Sequence, residues 1–439
     1  MTPDSRTAFL EARDAREECL QRALAQARSR DQPTVVMIST NIPGPHKLRP
    51  GISRLVRAGT TALGAGLPLE PVHVASDLLG PYALALAALP PRAGKRLALA
   101  VETATPWGRL LDLDVYSAEG APFGRADLDL PPRSCYLCAA PARDCGRFER
   151  HAASDLARHV DRLLEPFLPS LGPIRPAVLA EHLVRGARLE LELTPKPGLV
   201  DRHDPGAHAD LSFDLMGASI AMMPRYFADL LGAAERGAPL AAAVLAGQAA
   251  EARMVQAIRT NAHKGYLFLS GLVLWASCHG DGGVPALRAA IARLGAEFFR
   301  HAEPPQDSVR SRFGLGGIRA EAEQGLPAVF EAGWPQYQEA LAAGWGPERA
   351  GHYLMAVLMQ RVEDTTTLRR GGLAGLARLR QDGARLQRLM EQQRDPGPLL
   401  ADLNAEYVRL GLTMGGVADC MAVTFALQGS TLNLGGEGG

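Results

Sequence analysis

The sequence has no surplus of either charge: 47 Lys and Arg residues are balanced by 47 Asp and Glu over 439 residues, with a pI near 7. A broad basic footprint for nucleic acid is therefore absent, while local cationic pockets for phosphate remain compatible with the composition. Long apolar runs are missing as well, so no segment reads as membrane-spanning. Met1 to Arg16 is charged and lacks the apolar core of a secretory signal, which points to the cytosol. Cysteine is scarce. Cys19, Cys135, Cys138, Cys145, Cys278 and Cys420 are too few and too scattered for a disulfide framework, although three of them cluster.

What is present is a globular composition, 47% apolar and 21% charged, on a chain long enough for two domains. Residues 8–29 read as an amphipathic helix and Thr34–Ser39 as a buried strand. A Pro/Gly loop, 41–47, leads to a helix over 52–64. Val72–Ala75, Arg96–Glu102 and Leu110–Tyr116 read as further strands, and 152–167 as a closing helix. The proline-rich stretch Pro166–Pro176 is the expected boundary. Beyond it, Ala/Leu/Arg segments recur at helical spacing over 177–191, 237–259, 284–300, 350–363 and 373–394. The expected architecture is multidomain: an N-terminal α/β (α+β) domain over 1–168, then an all-α domain over 174–439.

The most informative strand is Leu111-Asp-Leu-Asp-Val115. Alternation puts the apolar residues on one face and Asp112 and Asp114 on the other, roughly 6.5–7 Å apart. Such a pair can chelate Mg²⁺ for nucleotidyl transfer, where charge gathers on the attacked phosphorus and the departing pyrophosphate. The alternation taken alone favours an ordinary half-exposed strand. In the loop Asn41-Ile-Pro-Gly-Pro-His-Lys47, the prolines stiffen the backbone and Lys47 offers one cation to a phosphate; a plain connecting loop would read the same. Cys135-x2-Cys138-x6-Cys145-x5-His151 has spacing compatible with a Cys₃His zinc site, and equally with reduced thiols packed in a small loop.

In the second half, Lys196 stands between two prolines that hold its backbone extended. Asp201, His208 and Asp210 follow closely and offer base or metal chemistry. Thr260-Asn-Ala-His-Lys-Gly265 enters an apolar helix over 266–277, with Asn261 as its cap and His263 and Lys264 in the first turn. Cations there oppose the helix dipole unless an anion binds among the free N–H groups. Two more helix entries repeat the theme: Asp364 through Arg370 and Gly371–Gly372, and Thr413 through Gly416 to Asp419. Glycines admit phosphate to the backbone, Arg370 adds a forked donor, and Asp364 and Asp419 could hold Mg²⁺. One shared phosphate pocket and three ordinary helix caps are both consistent with this pattern.

Two resemblances bear on these choices. STNIPGPHK (39–47), GRLLDLDVY (108–116) and PPRSCYLCAAPARDCGRFERH (131–151) resemble the holo-citrate lyase synthase family, the phosphoribosyl-dephospho-coenzyme A transferases. The resemblance implies a nucleotidyltransferase-like domain that transfers a triphosphoribosyl donor to a serine of the citrate lyase acyl carrier protein subunit and releases pyrophosphate. It favours the metal reading of Asp112 and Asp114 and adds Asn41, Lys47 and Arg109 as substrate contacts. It leaves the cysteines unassigned.

ELTPKPGLVDR with GAH-x-D (192–210), TNAHKG (260–265), FGLGGIRAEAEQGLP (313–327), DTTTLRRGG (364–372) and GGVADCMA (415–422) resemble the triphosphoribosyl-dephospho-coenzyme A synthase family. That resemblance implies joining of ATP to 3′-dephospho-coenzyme A with release of adenine. It places Asp201, His208, Asp210 and His263 among the catalytic groups. Lys196, Asn261, Lys264, Gly265, Arg370, Gly371 and Gly416 become substrate contacts, and Asp364 and Asp419 Mg²⁺ ligands. Ala262 and Ala320 depart from the Thr and Gly expected there. The combined expectation is a bifunctional transferase serving citrate lyase, acting on neither nucleic acid nor membrane. The same chemistry serving malonate decarboxylase and a non-catalytic docking protein for the lyase are the rival readings.

Overall fold

The computed structural model describes residues 3–44, 47, 49, 51–77, 79–168, 174–260, 262–279, 283–300 and 313–432. The chain divides into two compact units. The first comprises Met1–Leu168 with Glu339–Trp345 and Glu391–Gln393; the second comprises Pro169–Gln338, Gly346–Met390 and Arg394–Gly439.

The first unit is built on a five-stranded antiparallel sheet. Its strands are β1 (Thr34–Thr40), β2 (Leu69–Asp77), β3 (Gly80–Ala87), β4 (Leu111–Ser117) and the two-residue β5 (Pro122–Phe123), in the order β2-β3-β1-β4-β5. Period-two alternation splits β1 between two cores. Val36 and Ile38 join Leu111, Leu113 and Val115 on the face covered by α2 (Ile52–Gly64), α3 (Pro91–Ala104) and α5 (Ala153–Leu164); a one-turn α4 (Ala142–Arg147) precedes α5. Val35 faces the other way, with Leu84 and Leu86. There α1 (Pro3–Ser29) presents Leu20, Ala23, Leu24 and Ala27, one stripe at helical spacing. This is the expected α+β arrangement.

Two elements differ from the sequence expectation. Arg96–Glu102 is not a strand but lies inside α3. The run is apolar from Leu97 to Val101, as a short buried strand would be, yet the longer segment is rich in Ala, Leu, Lys, Arg and Glu, opens on Pro91, and buries Lys95, Ala98, Leu99 and Glu102 at helical spacing. The second is the wholly buried β3, for which the sequence reading has no strand and which pairs with both β1 and β2.

All regular secondary structure among the described residues of the second unit is helical. In chain order they form α6 (Pro176–Glu192), α7 (Phe213–Ala221), α8 (Met223–Glu235), α9 (Leu240–Ile258), α10 (Lys264–Ser277), α11 (Gly283–Phe299) and α12 (Gly317–Glu323). There follow α13 (Trp334–Ala342), whose last residues fall in the first unit, α14 (Pro347–Arg361), α15 (Thr365–Glu391), α16 (Gly397–Leu410) and α17 (Gly415–Leu432). Helix α10 is buried from Tyr266 to Ser277 apart from Phe268, which fits its apolar character on every side. α17 runs along α6 at close quarters, because a β-carbon at Gly186 would lie 2.2 Å from the carbonyl oxygen of Ala422. Among the described residues no helix is long and apolar enough to cross a membrane.

Candidate functional site

In the first unit, β4 shows the expected alternation, with Leu111, Leu113 and Val115 buried and Asp112 and Asp114 partly exposed on the opposite face. Because β5 pairs only with Val115 and Tyr116, the edge of β4 at Leu113 has no strand partner. Two buried side chains of α3 satisfy it instead. Lys95 Nζ donates to the Leu113 carbonyl at 2.6 Å, and the Leu113 N–H donates to Glu102 Oε1 at 3.2 Å. Arg133 then bridges the edge, 2.6 Å from Glu102 Oε1 and 3.0 Å from Asp112 Oδ1. Burial, followed by the neighbouring charge of Asp112, pushes Asp114 up to about 6. A largely buried carboxylate beside a second, more open one is a donor set that could hold a hard divalent cation.

The other expected residues of this unit sit around β4. The Asn41 N–H donates to the Leu110 carbonyl, and its own carbonyl accepts from the Tyr136 hydroxyl. Arg109 lies over the Tyr136 ring and donates to the Ser134 carbonyl at 2.6 Å. Lys47 is turned back to the Ile42 carbonyl, and burial holds its ammonium below the usual range. Cys135, Cys138, Cys145 and His151 lie together, with ligand atoms all within 4.8 Å of one another. Lys95, Glu102, Arg133 and Tyr136 were not foreseen. The available signal was Lys95 and Glu102, two charges seven residues apart, two helical turns, on an otherwise Ala/Leu face.

In the second unit one pocket gathers residues distant in sequence. Glu190, His208, His263, Tyr266, Gly415 and Asp419 line it together with Ala187, Leu199, Val200, Leu211, Met216, Ala262, Ala418 and Ala422. The close α6–α17 packing brings Glu190 there, since Gly186, Ala187 and Glu190 share one face of α6. Buried Lys196 directs Nζ at Glu190, 2.5 Å from Oε1 and 2.6 Å from its carbonyl, rather than toward the pocket. Asp201 is a loop anchor: Oδ2 accepts from the Lys196 N–H, and Oδ1 from those of His203 and Asp204.

His208 Nε2 lies 2.9 Å from Thr413 Oγ1. Burial and then Arg370 hold His208 below its usual range, against exposed Asp210, which pulls it up. His263 Nδ1 lies 2.7 Å from the Ser219 hydroxyl, while the buried Nε2 has no partner. Burial and then Lys196 lower His263 to about 4, so its ring is neutral. Asp364, fully buried, accepts from the Thr367 and Val417 N–H groups at 2.8 and 3.0 Å and so caps the entries of both α15 and α17. Asp419 is held well above the usual carboxylate range by burial, then by Asp364 and Glu190. Gly416 lies against Asp364 and Gly265 against Asp419. Lys264 is exposed and 3.5 Å from Glu251. Arg370 donates to the Ala207 and Gly411 carbonyls, and Gly371 precedes Gly372, whose φ of 61° kinks α15. Asn261 lies outside the described residues.

Comparison with known proteins divides the chain in the same order. A model of the ATP:dephospho-CoA triphosphoribosyl transferase family matches residues 176–435, and one of the apo-citrate lyase phosphoribosyl-dephospho-CoA transferase family matches residues 5–167. A 2-(5''-triphosphoribosyl)-3'-dephosphocoenzyme-A synthase of Pectobacterium atrosepticum is 32% identical over 266 residues, 56% of this chain and 87% of the relative. The protein CitXG of Leuconostoc mesenteroides subsp. cremoris is 28% identical over 432 residues, 90% of this chain and 91% of the relative. The protein CitXG of Haemophilus influenzae is 28% identical over 365 residues, 75% of each chain.

Proposed function

The chain belongs to the ATP:dephospho-CoA triphosphoribosyl transferase family and carries an apo-citrate lyase phosphoribosyl-dephospho-CoA transferase domain before it, and from that premise we propose that one polypeptide both makes and attaches the prosthetic group of citrate lyase. Residues 174–439 make the donor and residues 1–168 attach it. The observation that carries the first assignment is the single pocket to which His208, His263 and Asp419 come from separate sequence motifs, with Asp364 bonded behind it.

In that pocket the 2′-hydroxyl of 3′-dephospho-coenzyme A attacks C1′ of the ATP ribose and adenine departs. The transition state has oxocarbenium character, which the Glu190 carboxylate stabilises. Asp201 is occupied by three N–H groups, so exposed Asp210 beside His208 takes the hydroxyl proton. Neutral His263 offers its unpartnered Nε2 as an acceptor to the substrate. Lys264 and the first turn of α10 face the triphosphate. Mg²⁺ fits the crowded charge at Asp419, where it would neutralise phosphate oxygens; both Asp364 oxygens already cap helices, so Asp364 supports this position from behind.

In the first unit a serine hydroxyl of the acyl carrier protein attacks the α-phosphate of the donor and pyrophosphate leaves. Asp112 and Asp114 would hold Mg²⁺, which supplies charge stabilisation at the phosphoryl group. Arg133 fixes Asp112, and Lys95 and Glu102 fix the strand beneath.

The test is to incubate apo acyl carrier protein with the full chain, ATP, Mg²⁺ and 3′-dephospho-coenzyme A, then weigh the carrier. A mass increase equal to the phosphoribosyl-dephospho-coenzyme A group is expected. An unmodified carrier, with the enzyme folded and adenine not released, refutes the reading.

A further inference from the structure

Cys135, Cys138, Cys145 and His151 have no part in the chemistry above, yet the fold gathers them. Residues 133–142 form a small hairpin: the Ala142 N–H donates to the Arg133 carbonyl, the Cys135 N–H donates to the Ala140 carbonyl, and Ser134 bridges Pro141. Cys135 and Cys138 sit in its turn, where the Leu137 N–H points at Cys135 Sγ, 3.5 Å away. The short helix α4 starts at Ala142 and brings up buried Cys145. The Arg150 N–H then donates to the Cys145 carbonyl, and Glu149, at a φ of 45°, turns the chain so that His151 comes back to the thiols.

We propose that these four side chains bind one zinc ion, which closes the hairpin and holds Arg133 and Tyr136 against the catalytic strand. Four donors at tetrahedral corners, with Zn–S near 2.3 Å and Zn–N near 2.0–2.1 Å, stand roughly 3.5–3.8 Å apart. Cys138 Sγ and Cys145 Sγ are 3.5 Å apart, and every pair of ligand atoms lies within 4.8 Å. A disulfide would require about 2.05 Å, so the thiols are not bonded to one another. His151 Nε2 is the independent sign. It is buried and has no hydrogen-bond partner, a costly state for an imidazole nitrogen unless a ligand meets it. Binding releases three thiol protons to solvent and leaves the histidine neutral, a Cys₃His site of net charge −1 among Arg143, Arg147 and Arg150.

The consequence lies in what the hairpin carries. Two residues before Cys135, Arg133 reaches Glu102 and Asp112; one residue after it, Tyr136 donates to the carbonyls of Asn41 and Arg109. The hairpin otherwise has few backbone bonds to fix it, so the metal supplies the closure that sets both side chains. They are positioning residues, and the zinc acts through them.

The activity arm of the test rests on the transfer reading given above; the metal arm does not, so the two can fail separately. Elemental analysis of the full chain, purified without a metal-affinity step, should find about one zinc per chain. Cobalt-loaded protein should show thiolate-to-cobalt charge-transfer absorption that is lost in Cys138→Ser. Transfer from preformed donor to the carrier protein should fall by roughly 10²-fold in that variant, while adenine release is unchanged. Wild-type protein stripped by a chelator and then restored with zinc should lose and regain transfer, which covers a variant that fails to fold. Metal-free wild-type protein that takes up neither zinc nor cobalt would overturn the site, as would a cobalt band that survives Cys138→Ser. Full transfer by the stripped protein would overturn the link to Arg133.

Discussion

Gly265 lies so close to Asp419 that a β-carbon at that position would stand 2.0 Å from Asp419 Oδ2. The glycine at the first turn of α10 is therefore the space in which the carboxylate rests. Alanine would favour the helix by about 1 kcal/mol on propensity alone, but here it displaces the carboxylate. Gly265→Ala should lower adenine release by roughly 10²-fold with circular dichroism unchanged. Normal turnover by this variant would separate Asp419 from the reaction.

The Asp pair gives the corresponding test in the first unit. Asp112→Asn and Asp114→Asn keep shape and an acceptor oxygen but lose the charge that holds a cation. Metal-assisted stabilisation is worth several kcal/mol, so transfer from preformed donor should fall by orders of magnitude while adenine release persists. Both rates are read by mass spectrometry and adenine assay. Near-normal carrier modification by both variants would remove β4 from the catalytic centre.

How far the sequence disclosed this varies by element. The two faces of β4 were legible because period two is a local property, visible in LDLDV alone. The helix α3 is ambiguous in the sequence because LALAV is a short continuous apolar run, which has no period of its own to tell strand from helix. The entries at Asp364 and Asp419 were legible as helix starts, but local pattern cannot say that the Asp364 carboxylate caps both helices, since Val417 is distant in sequence. Lys196 illustrates the same limit. Its rigid backbone follows from Pro195 and Pro197, whereas its partner, Glu190, depends on how the chain turns back onto α6.

That Lys196–Glu190 pair carries a stability prediction. Both groups are almost wholly buried, and removing one leaves an uncompensated charge. Lys196→Met should destabilise the second unit by about 3–5 kcal/mol, and adding Glu190→Gln should restore much of it. Urea denaturation of the single and double variants measures this. A double variant no more stable than Lys196→Met would show that the lysine acts by packing alone.

Asp114 makes the stability of the first unit depend on pH. Its carboxyl stands at about 6 in the folded chain against an ordinary 3.8, raised by burial and by Asp112. The folded state therefore holds this proton more tightly than the unfolded state does. The stability linked to it is complete below the unfolded value of 3.8 and is lost as pH rises through about 6. Asp114→Asn cannot ionise, so the variant should be more stable than wild type at pH 7.5, by about 1–3 kcal/mol after allowance for partial solvent access. The difference should shrink on acidification and vanish near pH 4. Added Mg²⁺ should narrow it at pH 7.5, because a bound cation favours the ionised wild-type carboxylate. Thermal melts of both proteins between pH 4 and 8, with and without Mg²⁺, provide the measurement. An offset of constant size across that range would mean that packing, not charge, separates the two proteins, and a wild type more stable at pH 7.5 would show that Asp114 is already compensated without a metal.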